Sequence, residues 1–123
     1  MTAATDPAAA ESLFQAVLAE AGAALGRPLD AAQPIADHLR RLAEDSLATA
    51  AALAAGRIGP DAAREAFEGR RDALVQLREF AELTALTGAG AAADAVFAVL
   101  GRAVRDRTGV DLGPLLSPLV QPE

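Results

Sequence analysis

The chain contains no cysteine, no tryptophan, no tyrosine and no lysine, and it has a single histidine. Without cysteine there is no disulfide framework, no thiol nucleophile and no cysteine-ligated zinc. Without lysine the phosphate-binding loop G-x-x-x-x-G-K-[ST] cannot be written. One histidine, His38, cannot supply the paired ligands of a zincin, and neither E-x-x-H nor H-E-x-x-H occurs, which also removes the di-iron bundle pattern. The serines are Ser12, Ser46 and Ser117; none lies in G-x-S-x-G, so serine hydrolysis has no nucleophile elbow. These absences predict a protein with no catalytic residues, no metal site and no cofactor.

Basic charge is also short. Eleven arginines face 17 acidic residues, a net charge of −6, the wrong sign for a protein that tracks a phosphate backbone. Direct nucleic-acid binding is therefore not expected. Long apolar runs are missing too. Ser46–Gly56 and Leu83–Ala93 are the longest uncharged apolar stretches, and both are too short and too weakly apolar to span a bilayer. The opening MTAATDPAAAESLF has neither a basic nor a strongly apolar region of the secretory kind. The expectation is a cytoplasmic protein with no membrane contact.

What the chain has in abundance is alanine, 33 of 123 residues. Alanine is the best helix former, but it buries little area, so the core is expected to come from closely packed helices. Alanine and arginine enrichment without lysine is, by codon usage, expected of a GC-rich bacterial or phage genome.

Helix punctuation divides the sequence into four. Asp6–Pro7 reads as an N-cap with proline at N1, and Leu13, Phe14, Val17, Leu18, Ala21 and Leu25 recur at helical spacing until Gly26 and Pro28. Asp30 is a candidate cap for a second helix with Pro34 in its first turn. That helix carries Ile35, Leu39, Leu42, Leu47, Ala50 and Ala54 on one stripe and ends at Gly56. Its first half holds Asp37, Arg40, Arg41, Glu44 and Asp45, with Asp37 and Arg41 in the favourable i,i+4 order. Its second half has no charge, which points to deep burial or to a partner.

Gly59–Pro60 opens the third helix, with Asp61 near its positive end. Phe67, Leu74, Leu77, Phe80 or Ala81, and Leu83 or Thr84 supply its stripe to about Leu86, with Arg70, Arg71, Arg78 and Glu82 assigned to solvated faces. A fourth helix runs from about Gly90 through Val96, Phe97, Leu100 and Val104 to Arg107, and Gly109 ends it. Gly101 lies inside that helix at a cost of about 1 kcal/mol, which close approach of another helix backbone would explain.

Residues 110–123 contain Pro114, Pro118 and Pro122, so they form no regular helix, yet Val110, Leu112, Leu115, Leu116, Leu119 and Val120 make them apolar. Packing on the chain's own bundle is the favoured reading of this tail, docking on another chain the alternative. The fold expected is all-α: one domain over residues 1–123, a four-helix, mostly antiparallel bundle with a short N-terminal arm (1–6) and an apolar proline-rich tail.

Three groups of residues invite a functional reading. GAGAAA, Gly88–Ala93, matches G-x-G-x-x-A, but a dinucleotide cradle needs a strand before the glycines and a second strand ending in an acid. Here the preceding stretch is helical and Asp111 has no strand before it. The glycines are expected to turn the chain at a helix end, using positive φ. Asp61, Glu65, Glu68 and Asp72 form an acidic row on one helix, interleaved with Arg64 and Arg71, which reads as a solvated face more readily than as acid–base machinery. Arg102, Arg105 and Arg107 suit the negative end of the fourth helix and equally an acidic partner.

The function expected from this is a non-enzymatic helical interaction module: an adaptor, scaffold or accessory subunit of a bacterial or phage assembly. Its protein partner, or a second copy of the chain, would meet Gly101, Arg102 and Arg105 together with Leu112, Leu115, Leu116 and Leu119. The alternative is a small acidic inhibitor that sets Glu65, Glu68 and Asp72 against the basic groove of a nucleic-acid-processing enzyme. A carrier holding a small ligand within the bundle is a third reading, for which the sequence names no polar anchor.

Overall fold

The computed structural model describes residues 7–29, 32–85 and 89–112. Asp6, Asp30, Leu86, Gly88 and the whole of 113–123, including Leu115, Leu116 and Leu119, lie outside the described residues. Within them are five helices and no strand: α1 (Pro7–Leu25), α2 (Ile35–Ala54), α3 (Pro60–Val75), α4 (Arg78–Leu83) and α5 (Ala89–Thr108). The protein is an all-α helical bundle. Three long helices, α1, α2 and α5, all pack on one another, and α3 leans on α5 and α2.

The helix ends follow from glycine. Gly26, Gly56 and Gly109 have φ of 76°, 74° and 77°, a left-handed conformation that only glycine adopts without penalty. At the first two, the chain closes a Schellman turn. The amide of Arg27 donates to the carbonyl of Gly22 and that of Gly26 to Ala23, and the Arg57 and Gly56 amides donate likewise to Ala52 and Leu53. Pro60 begins α3 after an extended Gly59, at the N1 position where its missing N–H is not needed. Pro34, expected inside the first turn of α2, is instead its N-cap.

The third helix is not continuous to Leu86. Gln76 is turned to ψ −5° and Leu77 is extended at ψ 136°, which separates α3 from α4. Leu74 and Phe80 are 2% and 1% exposed. Six residues of unbroken helix would set them about 120° apart around the axis, too far for both to face one core. The break re-aims Phe80 inward. No proline or glycine marks it, so tertiary packing decides it.

The core takes all four phenylalanines. Phe14 and Phe67 are fully buried, and the Phe67 ring meets Phe97 edge to face at 5.6 Å between centroids and 82° between planes. The uncharged half of α2 is buried only in part, with Ala51, Ala52 and Leu53 half-buried and Ala48 and Ala54 exposed. Ser46, Leu47, Thr49 and Ala50 are all buried, Thr49 on the side that meets α3. Leu112, just beyond α5, is 1% exposed and belongs to the same core.

Polar groups tie the helices together. Arg70 and Arg71 are consecutive, hence about 100° apart on α3, and they straddle its buried stripe. Arg70 Nη1 donates to Thr49 Oγ1 of α2 at 3.0 Å, and Arg71 Nη2 donates to Asp94 Oδ1 of α5 at 2.6 Å. They are interhelix tethers, not members of solvated faces. Arg64 Nη2 also reaches the Asp111 carbonyl at 3.2 Å. As α3 advances from Arg64 through Phe67 to Arg71, its partners recede from Asp111 through Phe97 to Asp94, so α3 runs antiparallel to α5.

On the opposite side Arg40 lies 4.0 Å from the centre of the Phe14 ring and pairs with Glu11, joining α2 to α1. Hydrogen bonds from Gln15 and Arg40 hold the Glu11 carboxyl below its ordinary pKa. A carboxyl depressed on folding adds stability above its unfolded pKa, and that contribution disappears as pH falls through the folded one. Glu11 is exposed, so screening keeps the effect small.

Among the described residues two buried side-chain oxygens have no hydrogen-bond partner, Gln33 Oε1 and Ser46 Oγ. Ser46 is fully buried and its Oγ makes no hydrogen bond, whereas Thr49 and Thr84 donate theirs to the carbonyls of Asp45 and Phe80. An unsatisfied buried hydroxyl costs about 1–3 kcal/mol. Ser46→Ala, nearly isosteric and a better helix former, is expected to raise unfolding free energy by about 1 kcal/mol in urea titration. A loss of stability would show that the hydroxyl is satisfied after all.

Candidate functional site

The GAGAAA stretch is preceded by α4 and opens α5, with helix on both sides where a dinucleotide cradle requires a strand first. Gly90 is a helical residue of α5 without positive φ, so the expectation that the described glycine of this stretch supplies a left-handed turn is not met. Ala92 and Ala93 are buried at the start of α5, at 1% and 0% exposure. The stretch serves helix packing.

The acidic row lies on one face, because positions 61, 65, 68 and 72 follow helical spacing. All four residues are exposed. Asp61 pairs with Arg64 at 3.1 Å, while Glu65, Glu68 and Asp72 enter no ion pair among the described residues. Arg71, interleaved in sequence, points away from this row to Asp94.

On α5 the three arginines divide. Ala98, Arg102 and Arg105 share the solvent face, spaced by four and three, and all are exposed. Among the described residues neither of these two arginines forms an ion pair. Arg107 lies over the other side, beside Leu13 of α1 and Leu47 of α2. Gly101 borders the solvent face, and a Cβ built there would meet nothing within 4 Å. The expected close approach of a neighbouring backbone at Gly101 is therefore absent among the described residues. It occurs at Gly22 instead, where a Cβ would stand 2.9 Å from the Arg27 carbonyl oxygen. Leu112 is a correction of the same kind, since its side chain is consumed by the chain's own core and is not offered to a partner.

A second arrangement was not legible as a site. His38, Arg41 and Asp45 of α2 face Arg70 of α3 around a recess of about 150 Å³, floored by Leu42, Leu74 and Leu77. It forms where α3 ends, so the helix break helps to shape it. The signal was present as two spacings, 38-41-42-45 on one helix and 70-73-74-77 on the other, but only the pairing of α2 with α3 brings them together.

Among the described residues no three His, Cys, Asp or Glu side chains converge to hold a metal, and no helix is long and apolar enough to cross a membrane. Compared with known protein families, curated proteins and solved structures, the chain matches none of them.

Proposed function

We propose that this chain is a non-enzymatic, cytoplasmic interaction module, an adaptor, scaffold or accessory subunit of a bacterial or phage assembly, and that it engages an acidic protein surface through the outer face of α5. The observation that carries the reading is the state of Arg102 and Arg105. Both are exposed and, among the described residues, unpaired beside Gly101, on a helix whose other face is committed to the core. Elsewhere the arginines that meet carboxylates do so as tethers or within a helix. Arginine is the cation best suited to an interface, because its planar fork matches carboxylates and is weakly hydrated. The open space over Gly101 lets a partner approach the helix backbone between the two guanidinium groups and Ala98.

Reversing both charges, with Arg102→Glu and Arg105→Glu, is expected to weaken capture of the native partner by about tenfold or more, with the helical circular dichroism unchanged. Undiminished capture by the folded variant removes this face from the proposal. A second copy of the chain is the other candidate partner, since its own α3 carries a complementary acidic row. Light scattering at micromolar concentration that gives only the monomer mass rules that out.

One observation favours the alternative reading as an acidic inhibitor: Glu65, Glu68 and Asp72 are exposed on one face and pair with no cation among the described residues. In that case the triple reversal to lysine abolishes inhibition of a nucleic-acid-processing enzyme, while the α5 reversal leaves it intact.

A further inference from the structure

We propose that the recess between α2 and α3 is a binding site for a small monocarboxylate that carries one compact apolar group. This goes beyond the interaction reading above and uses none of the residues assigned to it. The recess measures about 150 Å³, close to the size of cavity that accepts a single benzene ring. Its floor is apolar: Leu74 is buried at 2% exposure, and Leu42 is half-buried. Its rim is charged. Arg41 and Arg70 contribute two positive charges against one negative from Asp45, and His38 completes the ring.

Among the described residues neither arginine is spent on an ion pair. Arg70 is held in place by one hydrogen bond, Nη1 to Thr49 Oγ1, and the Thr49 hydroxyl is itself fixed by donating to the Asp45 carbonyl. A guanidinium has five N–H donors, so most of the Arg70 fork remains free while its position is set. A preset fork loses little side-chain entropy when it takes a carboxylate.

The arrangement selects a ligand by class. A compact apolar group removes the leucine floor from water, and a carboxylate at the mouth meets the guanidinium groups where the field is positive. A bare anion satisfies the rim and leaves the floor wet. A neutral ring satisfies the floor and leaves the guanidinium groups desolvated without a charge partner. Asp45 sets the limit of one carboxylate, because a second would face it directly.

The test is a titration of the full-length ¹⁵N-labelled chain with benzoate, benzamide and inorganic phosphate, followed by amide shifts. Benzoate is expected to give saturable shifts at Leu42, Ala73, Leu74 and Leu77, with benzamide bound about tenfold more weakly and phosphate leaving those amides unmoved. Arg41→Gln, which breaks no internal bond, is expected to weaken benzoate by about fivefold to tenfold, and Asp45→Asn to strengthen it by about threefold. Benzoate shifts that rise without saturating overturn the site. Equal affinity for benzamide, phosphate shifts at the same floor amides, or full retention of benzoate affinity in Arg41→Gln overturn its chemistry.

Discussion

Phe67→Ala is expected to lower the unfolding free energy by about 3–5 kcal/mol, the largest loss of any single side-chain truncation in this chain. The composition explains why. There is no tryptophan or tyrosine, and alanine fills more than a quarter of the sequence, so the four phenylalanines are the largest side chains the core contains. Phe67 is fully buried and its ring is edge to face with Phe97. It sits where α3 crosses α5, so truncation leaves a cavity lined by a second ring that keeps no aromatic partner. Surrounding alanines cannot swing in to fill it, because they have no rotamers to change. A domain of this size has about 5–15 kcal/mol of stability in all, so the variant should be marginal at room temperature. Urea unfolding followed by far-ultraviolet circular dichroism measures this directly, and no tryptophan is needed for it. A second cycle with Phe97→Ala should show a coupling of about 0.5–1.5 kcal/mol between the two rings. A loss below 1 kcal/mol in the single variant would mean that α3 is not docked on α5 through Phe67.

The second large effect is a difference of sign between two helical glycines. Gly22→Ala is expected to destabilise by about 1–3 kcal/mol, and Gly101→Ala to stabilise by about 0.5–1 kcal/mol. Both residues lie inside helices, neither has positive φ, and propensity alone would favour alanine at each. What separates them is space. At Gly22 the added methyl meets backbone: the Arg27 carbonyl oxygen at 2.9 Å, the Leu29 nitrogen at 3.3 Å and the Pro28 Cα at 3.4 Å. These atoms belong to the turn that Gly26 and Pro28 make after α1, and the Arg27 amide is bonded back to Gly22 itself. Backbone cannot rotate aside as a long side chain would, so the turn or the last turn of α1 has to shift. At Gly101 the methyl meets nothing within 4 Å. The two midpoints in thermal unfolding should therefore move in opposite directions. If both variants are stabilised, the turn after α1 is loose enough to yield. If Gly101→Ala stabilises the isolated chain yet weakens partner capture, the outer face of α5 is the contact surface.

The helices themselves were legible because their signals are local. Proline at N1, glycine after the last turn and a 3.6-residue apolar period act within one or two turns of chain, and they placed the bounds of α1, the start of α3 and the end of α5 to within a residue or so. The same logic set aside the GAGAAA resemblance, since a phosphate cradle depends on a preceding strand and helical periodicity already ran up to those glycines.

Three features were not local and were misread or missed. The break at Gln76–Leu77 arises because Leu74 and Phe80 must both reach one core. That both Phe80 and Ala81 fit the same apolar stripe is its only trace in the sequence. Arg70 and Arg71 looked like surface charges, since nothing in a single helix shows that its flanks will meet Thr49 and Asp94 of two others. Gly101 and Gly22 are alike in sequence context, and only the path of the chain after α1 decides which of them a side chain would harm. The amino-acid sequence by itself determined that this protein is helical, where most of its helices begin and end, and which chemistries it lacks the residues to perform. The tertiary structure alone decided which charges are spent on holding helices together and which stay free on α5, on α3 and around the recess, because that depends on distances between residues that are far apart in the chain.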